Sequence, residues 1–356
     1  MIFVNSRFLT QKISGVQRYA IEISKQLKKL YPESRFISPK NIIHRELADL
    51  LEAIEYGTLK GHLWEQIELP RYLKEKNRPL LINLANTAPV SYSNQVITIC
   101  DLSFLRNPKW FSKKFYFYYK FLIPRIVKNS LKIITISEFS KNEIIELLNT
   151  HESKIKVIHC GTAEEFVNLK DSNSVIDNGK KRYILSVSTL DPRKNLESLI
   201  LAFRKLKVPD LQLIIVGSKN NVFTGNKLTN LINADKNIIF TGYVSDRELK
   251  SLYRNAALFV YPSLYEGFGL PPLEAMVCGV PVVVSNIASL PEVCGDAVYY
   301  VDPYSVESIA EGIYKVLTDE GLMQGLIQKG LERAKLFSWE KAAKEHIKVF
   351  EEVLMV

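Results

Sequence analysis

Cysteine is scarce in this chain of 356 residues: Cys100, Cys160, Cys278 and Cys294 are the four present, they stand far apart, and they form no CxxC pair. That spacing argues against a disulfide scaffold or a cysteine-built zinc site, and the thiols read as small buried hydrophobes or reduced groups. Histidine is equally sparse, with five residues scattered along the sequence, so no metal site is expected. No apolar run approaches the roughly 18 residues that a membrane span needs. The opening MIFVNSRFLTQK lacks both a basic n-region before an apolar stretch and a small-residue cleavage site, which predicts a chain that stays in the cytosol. No GxGxxG follows a strand-like run, which argues against a nicotinamide oxidoreductase.

What the chain does have is apolar bulk and an uneven charge. Hydrophobic residues make up 47% of it, ample for two cores of ordinary size, and its length suits two domains. The net charge is +9, yet residues 1–170 hold 26 Lys and Arg against 16 Asp and Glu. The whole basic excess therefore lies in the first half. Dispersed, such charge serves solubility; clustered, it draws the protein to an anionic membrane surface or acidic ligand. Nucleic acid is the other polyanion, but no recognised binding motif accompanies the charge.

Both halves alternate β-branched apolar runs with amphipathic stretches. The first half offers strands at the opening IFV and at 80–84, 95–100, 132–137 and 156–160. Helices are predicted at 16–30, 112–128 and 138–149, the last opened by Ser137 as N-cap. The second half offers strands at 183–188, 211–217, 238–244, 257–262 and 280–285. Near-continuous apolar strands separated by helices imply parallel sheets covered on both faces, an α/β fold. The polar, aperiodic stretch 164–182 reads as a linker between domains at 1–165 and 183–337. A final helix over 338–356 has Trp339, Ala343, Ile347, Phe350 and Leu354 near one face. Two doubly wound sheets would place ligands outside the carboxyl ends of their strands.

The most informative stretch is YPSLYEGFGLPPLEAMVCGVPVVVSN, residues 261–286. A strand ends near Pro262, a glycine-rich loop follows, and Pro271 and Pro272 suit a first helical turn. Gly267 and Gly269 would let the backbone approach a ligand, and the helix N-terminus offers N–H groups to an anion. Glu266 and Glu274 would repel a phosphate, so they are expected to accept hydrogen bonds from the vicinal hydroxyls of two different sugar rings. Upstream, STLDPRKNLE (188–197) follows a strand and opens a helix, presenting Arg193 and Lys194 to neutralise a diphosphate. Gly15, between the first strand and its helix, could admit a phosphate in the same way.

Together these stretches resemble the retaining glycosyltransferase family four (group 1, GT-B fold), in particular its bacterial mannosyltransferase-like branch of O-antigen and surface polysaccharide synthesis. GVQRYA at 15–20, HLWEQIELP at 62–70, NLANTAPV at 83–90, ITICDLSFLRNPKWF at 97–111, LDPRKN at 190–195 and EGFGLPPLEAM at 266–276 carry the likeness, and Glu-x7-Glu is the most specific pattern. The resemblance implies two Rossmann-like domains with an interdomain cleft, and a last helix that crosses back onto the first domain. It implies that Glu266 contacts the transferred sugar, Glu274 the ribose, and the backbone of Gly267, Phe268, Gly269 and Leu270 the sugar hydroxyls and phosphate. Lys194 with Arg193 would bind the diphosphate, and Tyr243–Val244 would lie near the base. Two positions depart from the family. Thr189 stands where an arginine is common, with Arg193 able to replace its charge. Cys100 stands where many members have a histidine, beside Asp101 on the acceptor side.

No Asp-x-Asp motif is present, so no metal or other cofactor is expected, and cationic side chains would hold the diphosphate. The expected activity is transfer of a hexose, with mannose from GDP-mannose first, onto a glycan or polyprenyl-diphosphate-linked oligosaccharide. Other nucleotide sugars (rhamnose, fucose, glucose) and a non-catalytic sugar-nucleotide-binding protein are the alternatives. The run RNPKWFSKKFYFYYKFLIPRIVK (106–128) interleaves aromatics with cations. Its rings either fill the first core or rest, as an interfacial helix, on anionic lipid at the cytoplasmic face of the membrane.

Overall fold

A computed structural model describes residues 1–162, 182–217, 231–232 and 235–355. The stretch 164–182 predicted as a linker lies outside the described residues, save Arg182. The chain divides into two compact units. The first comprises Met1–Arg106, Lys113–Gly161 and Ser338–Val356; the second comprises Asn107–Ser112 and Thr162–Phe337.

The first unit is built on seven strands: β1 (Ile2–Asn5), β2 (Arg35–Ser38), β3 (Ile54–Glu55), β4 (Leu80–Asn83), β5 (Gln95–Thr98), β6 (Lys132–Thr135) and β7 (Ile155–Val157). They are all parallel, in the order β3-β2-β1-β4-β5-β6-β7. The order runs one way from β1 and reverses at β4, which makes the β1/β4 boundary the topological switch point. Strands β1, β4 and β5 are buried along their whole length, as sheets covered on both faces require. The five strands expected from the sequence are present; β2, polar at both ends, and β3, only two residues long, are additional.

Helices pack where the apolar spacing placed them, at Gly15–Leu30, Lys113–Asn129 and Glu138–Leu148. Ser137 caps the last of these, its hydroxyl accepting from Ser140 N at 3.0 Å. The C-terminal helix Trp339–Leu354 packs in the first unit against Gly15–Leu30. Its buried face differs from the expected one: Ala342, His346 and Val349 are buried beside Trp339, Ala343 and Phe350, whereas Leu354 is exposed. A buried histidine on a helix is polar by composition, so apolar spacing alone skipped it. Gly161 allows the chain to come this close, because a Cβ there would lie 2.0 Å from Trp339 N.

The second unit has six parallel strands: β8 (Arg182–Val187), β9 (Leu211–Val216), β10 (Ile238–Gly242), β11 (Leu258–Tyr261), β12 (Val282–Ser285) and β13 (Tyr299–Val301). Their order is β10-β9-β8-β11-β12-β13, so the switch point falls between β8 and β11. Ile184, Leu213, Leu258, Val260 and Val283 form the centre of its core, and the helix Leu196–Lys205 closes one side with Leu199, Ile200 and Phe203.

Helix Lys113–Asn129 leaves much of its aromatic run outside the core. Only Leu122, Ile123, Ile126 and Val127 are buried, while Phe117 and Phe121 are 64% and 58% exposed. Most of its rings do not fill the core. Among the described residues, no helix is long and apolar enough to cross a membrane.

Candidate active site

The carboxyl edge of the second sheet brings two of the sequence-predicted segments together at the switch point. After β8 the chain turns through Asp191, whose carboxylate accepts from Arg193 N at 2.9 Å and caps a short turn Pro192–Lys194. Asn195 follows at φ 56°, a left-handed conformation that asparagine tolerates. Its amide donates to the carbonyls of Pro262 and Pro303, at 3.1 and 2.7 Å. Leu264 N donates to Arg193 O at 2.8 Å. The loop after β8 is thereby fastened to the loop after β11.

That fastening fixes a buried cation against a buried anion. Lys194 Nζ lies 2.6 Å from Glu266 Oε1 and 2.6 Å from the Tyr261 hydroxyl. The two charged side chains are 11% and 9% exposed. Burial alone would raise the Glu266 carboxyl, but the charges of Lys194 and Arg193 outweigh it and hold the group below its ordinary value. Burial pulls the Lys194 ammonium down from its usual range, opposed by Glu266. The repulsion between a carboxylate and a phosphate, expected from the sequence, is thus relieved by the adjacent cations.

The glycine-rich loop is held from beneath. Ser289 Oγ sits 3.0 and 2.9 Å from the carbonyl oxygens of Glu266 and Phe268, and Ser285 Oγ donates to Ser263 O at 2.6 Å. The Phe268 side chain is buried, edge-on to Phe337, so a ligand would meet its backbone rather than its ring. Gly269 has φ 107° and caps the helix Leu270–Val277; a Cβ there would meet Leu290 Cδ2 at 2.7 Å. The left-handed φ is what calls for glycine at that position, and Leu290 would have to shift to admit a Cβ. Glu274, in the second turn, is half-buried and accepts from the Tyr253 hydroxyl at 3.0 Å.

The remaining predicted residues are placed as follows. Thr189 is half-buried just past the end of β8, while Tyr243 is 73% exposed and Val244 half-buried in the loop after β10. In the first unit, Gly15 is exposed at the start of its helix, and among the described residues nothing beyond its chain neighbours and its own helix backbone comes within 4 Å of where a Cβ would lie. The fold itself does not demand glycine there. Cys100 is buried, and burial pushes its thiol well up, which makes it a poor nucleophile. The Asp101 carboxylate accepts from Ser103 N and Ser103 Oγ at 3.0 and 2.7 Å.

A polar network over the first sheet's own switch point was not anticipated. Glu65 Oε1 accepts from Asn5 Nδ2 at 2.9 Å, Arg7 Nε at 3.1 Å and Thr87 Oγ1 at 3.0 Å. Arg7 Nη2 also donates to Thr87 Oγ1 at 2.7 Å, and Asn5 Nδ2 to Asn83 Oδ1 at 3.0 Å. All five residues are buried. Burial would raise Glu65, but Arg7, His62 and Asn5 overcome it and bring the carboxyl down to about 2. The sequence signal was present in HLWEQIELP and NLANTAPV, but without a role for any residue in them.

Comparison with known proteins decides the family. A profile of glycosyl transferases group 1 matches residues 167–333. The O-antigen chain mannosyltransferase B of Escherichia coli is 31% identical over 95% of this chain and 96% of its own length. The chain belongs to the group 1 glycosyltransferases. Another member, the O-antigen chain mannosyltransferase RfbU of Salmonella typhimurium, is 29% identical over 88% of this chain and 90% of its own. Among solved structures, Anabaena HepE in complex with UDP and glucose superposes with a TM-score of 0.80 at 17% identity, covering 98% of this chain and 99% of that one. The fold of this group 1 glycosyltransferase is GT-B, as its two doubly wound sheets indicate.

Proposed function

We propose that this glycosyltransferase transfers mannose from GDP-mannose, with retention of configuration, onto a glycan or polyprenyl-diphosphate-linked oligosaccharide during surface polysaccharide synthesis. The names of its relatives supply the sugar and the setting. The observation that carries the chemistry is the buried Lys194–Glu266 pair at the switch point of the second sheet. Lys194 with Arg193 receives the donor diphosphate, Glu266 binds hydroxyls of the transferred sugar, and Glu274 binds the ribose. The backbone of Gly267 to Leu270 lies along the sugar and phosphate, with Thr189 close by, Tyr243 and Val244 beside the base, and Gly15 admitting phosphate from the first unit. Asp101 and Cys100 belong to the acceptor side.

The bond from C1 of the sugar to the diphosphate oxygen breaks as the acceptor oxygen bonds to C1 from the same face. The acceptor proton passes to the departing phosphate oxygen. No protein base is needed in that route, and catalysis rests on positioning and on charge stabilisation of the leaving group. The enzyme acts at the cytoplasmic face of the membrane, which helix Lys113–Asn129 touches with its exposed rings and cations.

A thermal-shift screen of sugar nucleotides tests the donor, since a ligand that binds the native state raises its melting temperature. GDP-mannose is expected to exceed GDP, UDP-glucose and dTDP-rhamnose. Release of GDP only when a mannoside acceptor is present supports transfer. Tight binding without turnover would identify a sugar-nucleotide-binding protein instead.

A further inference from the structure

We propose that the His62 imidazole, held over the carboxyl edge of the first sheet by Glu65, binds a hydroxyl of the acceptor sugar, with the Tyr118 ring beside it as an apolar wall. This rests on the transferase reading above and adds a residue that the reading does not contain.

Position comes first. Glu65 Oε1 is bound to Asn5, the last residue of β1, and to Thr87, in the loop after β4. Its carboxylate therefore lies over the point where strand order reverses, the place where open α/β sheets take ligands. Three inward donors occupy Oε1, while Oε2 receives His62 Nδ1 at 3.3 Å. A carboxylate can only accept here, so Nδ1 carries a proton, and in the neutral tautomer that this contact selects Nε2 presents its lone pair outward. His62 remains accessible, its side chain 31% exposed against 1% for Glu65.

The chemistry of the pocket suits a neutral hydroxyl. Among the described residues the Nε2 atom meets the Tyr119 hydroxyl, at a long 3.3 Å that a ligand hydroxyl can replace. Tyr118 is 38% exposed, its ring 5.1 Å from the imidazole and tilted by 60°. A pyranose has an apolar C–H face and polar edges, which match a ring wall beside a fixed acceptor nitrogen. A phosphate is a poorer fit, because the nearby guanidinium of Arg7 is already neutralised by Glu65 at 3.1 Å. Asp101, on the neighbouring acceptor-side loop, is taken up by Ser103. His62 touches the acceptor, and Glu65 is the positioning residue behind it.

The test compares wild type with His62→Phe, which keeps a ring in the pocket, and His62→Gln, which keeps a hydrogen-bonding group. Octyl α-mannopyranoside serves as acceptor and GDP-mannose as donor. The expected result is an acceptor KM raised about ten-fold in His62→Phe, as loss of one hydrogen bond predicts. His62→Gln should fall between, with the donor KM unchanged in both. A merely structural histidine would instead lower stability and disturb both KM values alike. Independently of turnover, 15N-histidine spectra should show the signal missing from His62→Gln moving when octyl α-mannopyranoside is added to donor-free wild type. An unmoved signal, or equal acceptor KM values in wild type and His62→Phe, overturns the assignment. Failure of wild type to bind any sugar nucleotide would instead sink the transferase reading, and the thermal-shift screen detects that separately.

Discussion

Lys194 and Glu266 meet at 2.6 Å although 72 positions separate them in the chain, and Tyr261 closes the same contact from the end of β11. Neither charge is independent of the other. Removing the carboxylate leaves a buried ammonium without its ion-pair partner, which costs roughly 3–5 kcal/mol, whereas removing both charges together costs far less. Glu266→Ala should therefore abolish transfer and lower stability. The double variant Glu266→Gln/Lys194→Met should recover most of the stability and none of the transfer. Denaturant unfolding alongside a GDP-release assay separates the two effects. Wild-type turnover in either variant would count decisively against the assigned roles.

Glu274 sits in a different setting, half-buried and accepting from the Tyr253 hydroxyl. It is less buried than Glu266, so its loss should cost less stability. If it binds the donor ribose, Glu274→Ala should raise the donor KM about ten-fold, near 1.4 kcal/mol, with a smaller change in kcat. Tyr253→Phe should have a weaker effect of the same kind, since it removes only the hydroxyl that orients the carboxylate. Steady-state kinetics over a GDP-mannose series would show this, and an effect confined to kcat would move Glu274 from donor binding to the reacting sugar.

The contrast between these sites and the network around Glu65 explains what the sequence made legible. Glu266 to Glu274 is one continuous segment whose turn, helix start and side-chain chemistry can be read in order. Asn5, Arg7, Glu65, Asn83 and Thr87 come from separate segments, and each alone passes for a strand end or a helix residue. Only the parallel sheet brings them to one edge. Tyr261 was hidden in the same way, an apolar-looking strand residue whose hydroxyl emerges at the end of β11. Apolar runs such as IFV and LLINL were readable, but β3, only Ile54–Glu55, is defined by its pairing with β2 rather than by its own sequence.

Helix Lys113–Asn129 gives the membrane proposal a sharp test. Phe117 and Phe121 lie one turn apart on an exposed face, and Lys113, Lys114, Lys120 and Arg125 are exposed along the same helix. Burying a phenylalanine ring in an apolar phase is worth about 1.5–3 kcal/mol, so Phe117→Ser/Phe121→Ser should reduce vesicle binding at least about ten-fold. Flotation with anionic vesicles should capture wild type, weaken with salt, and fail for the double variant. Wild type absent from the floated fraction at every salt concentration would defeat the proposal.

Inside the first unit, His346 ties the C-terminal helix to Gly15–Leu30 in a way that acid should undo. Its Nδ1 donates to Ala342 O at 2.7 Å, so Nε2 accepts the Tyr19 hydroxyl at 2.6 Å. Burial holds the imidazole down to about 4, against an ordinary value near 6.5. The folded protein thus binds fewer protons than the unfolded chain below pH 6.5. Stability from this group is complete above that pH and declines as pH falls toward 4, by about 3 kcal/mol in all. His346→Leu should flatten the slope of unfolding free energy between pH 6.5 and 4, with Tyr19 still placed to bond Thr98 at 3.3 Å. Urea melts at a series of pH values measure that slope. If wild type and His346→Leu lose stability in parallel over this window, the histidine titrates normally and the buried, neutral contact is wrong.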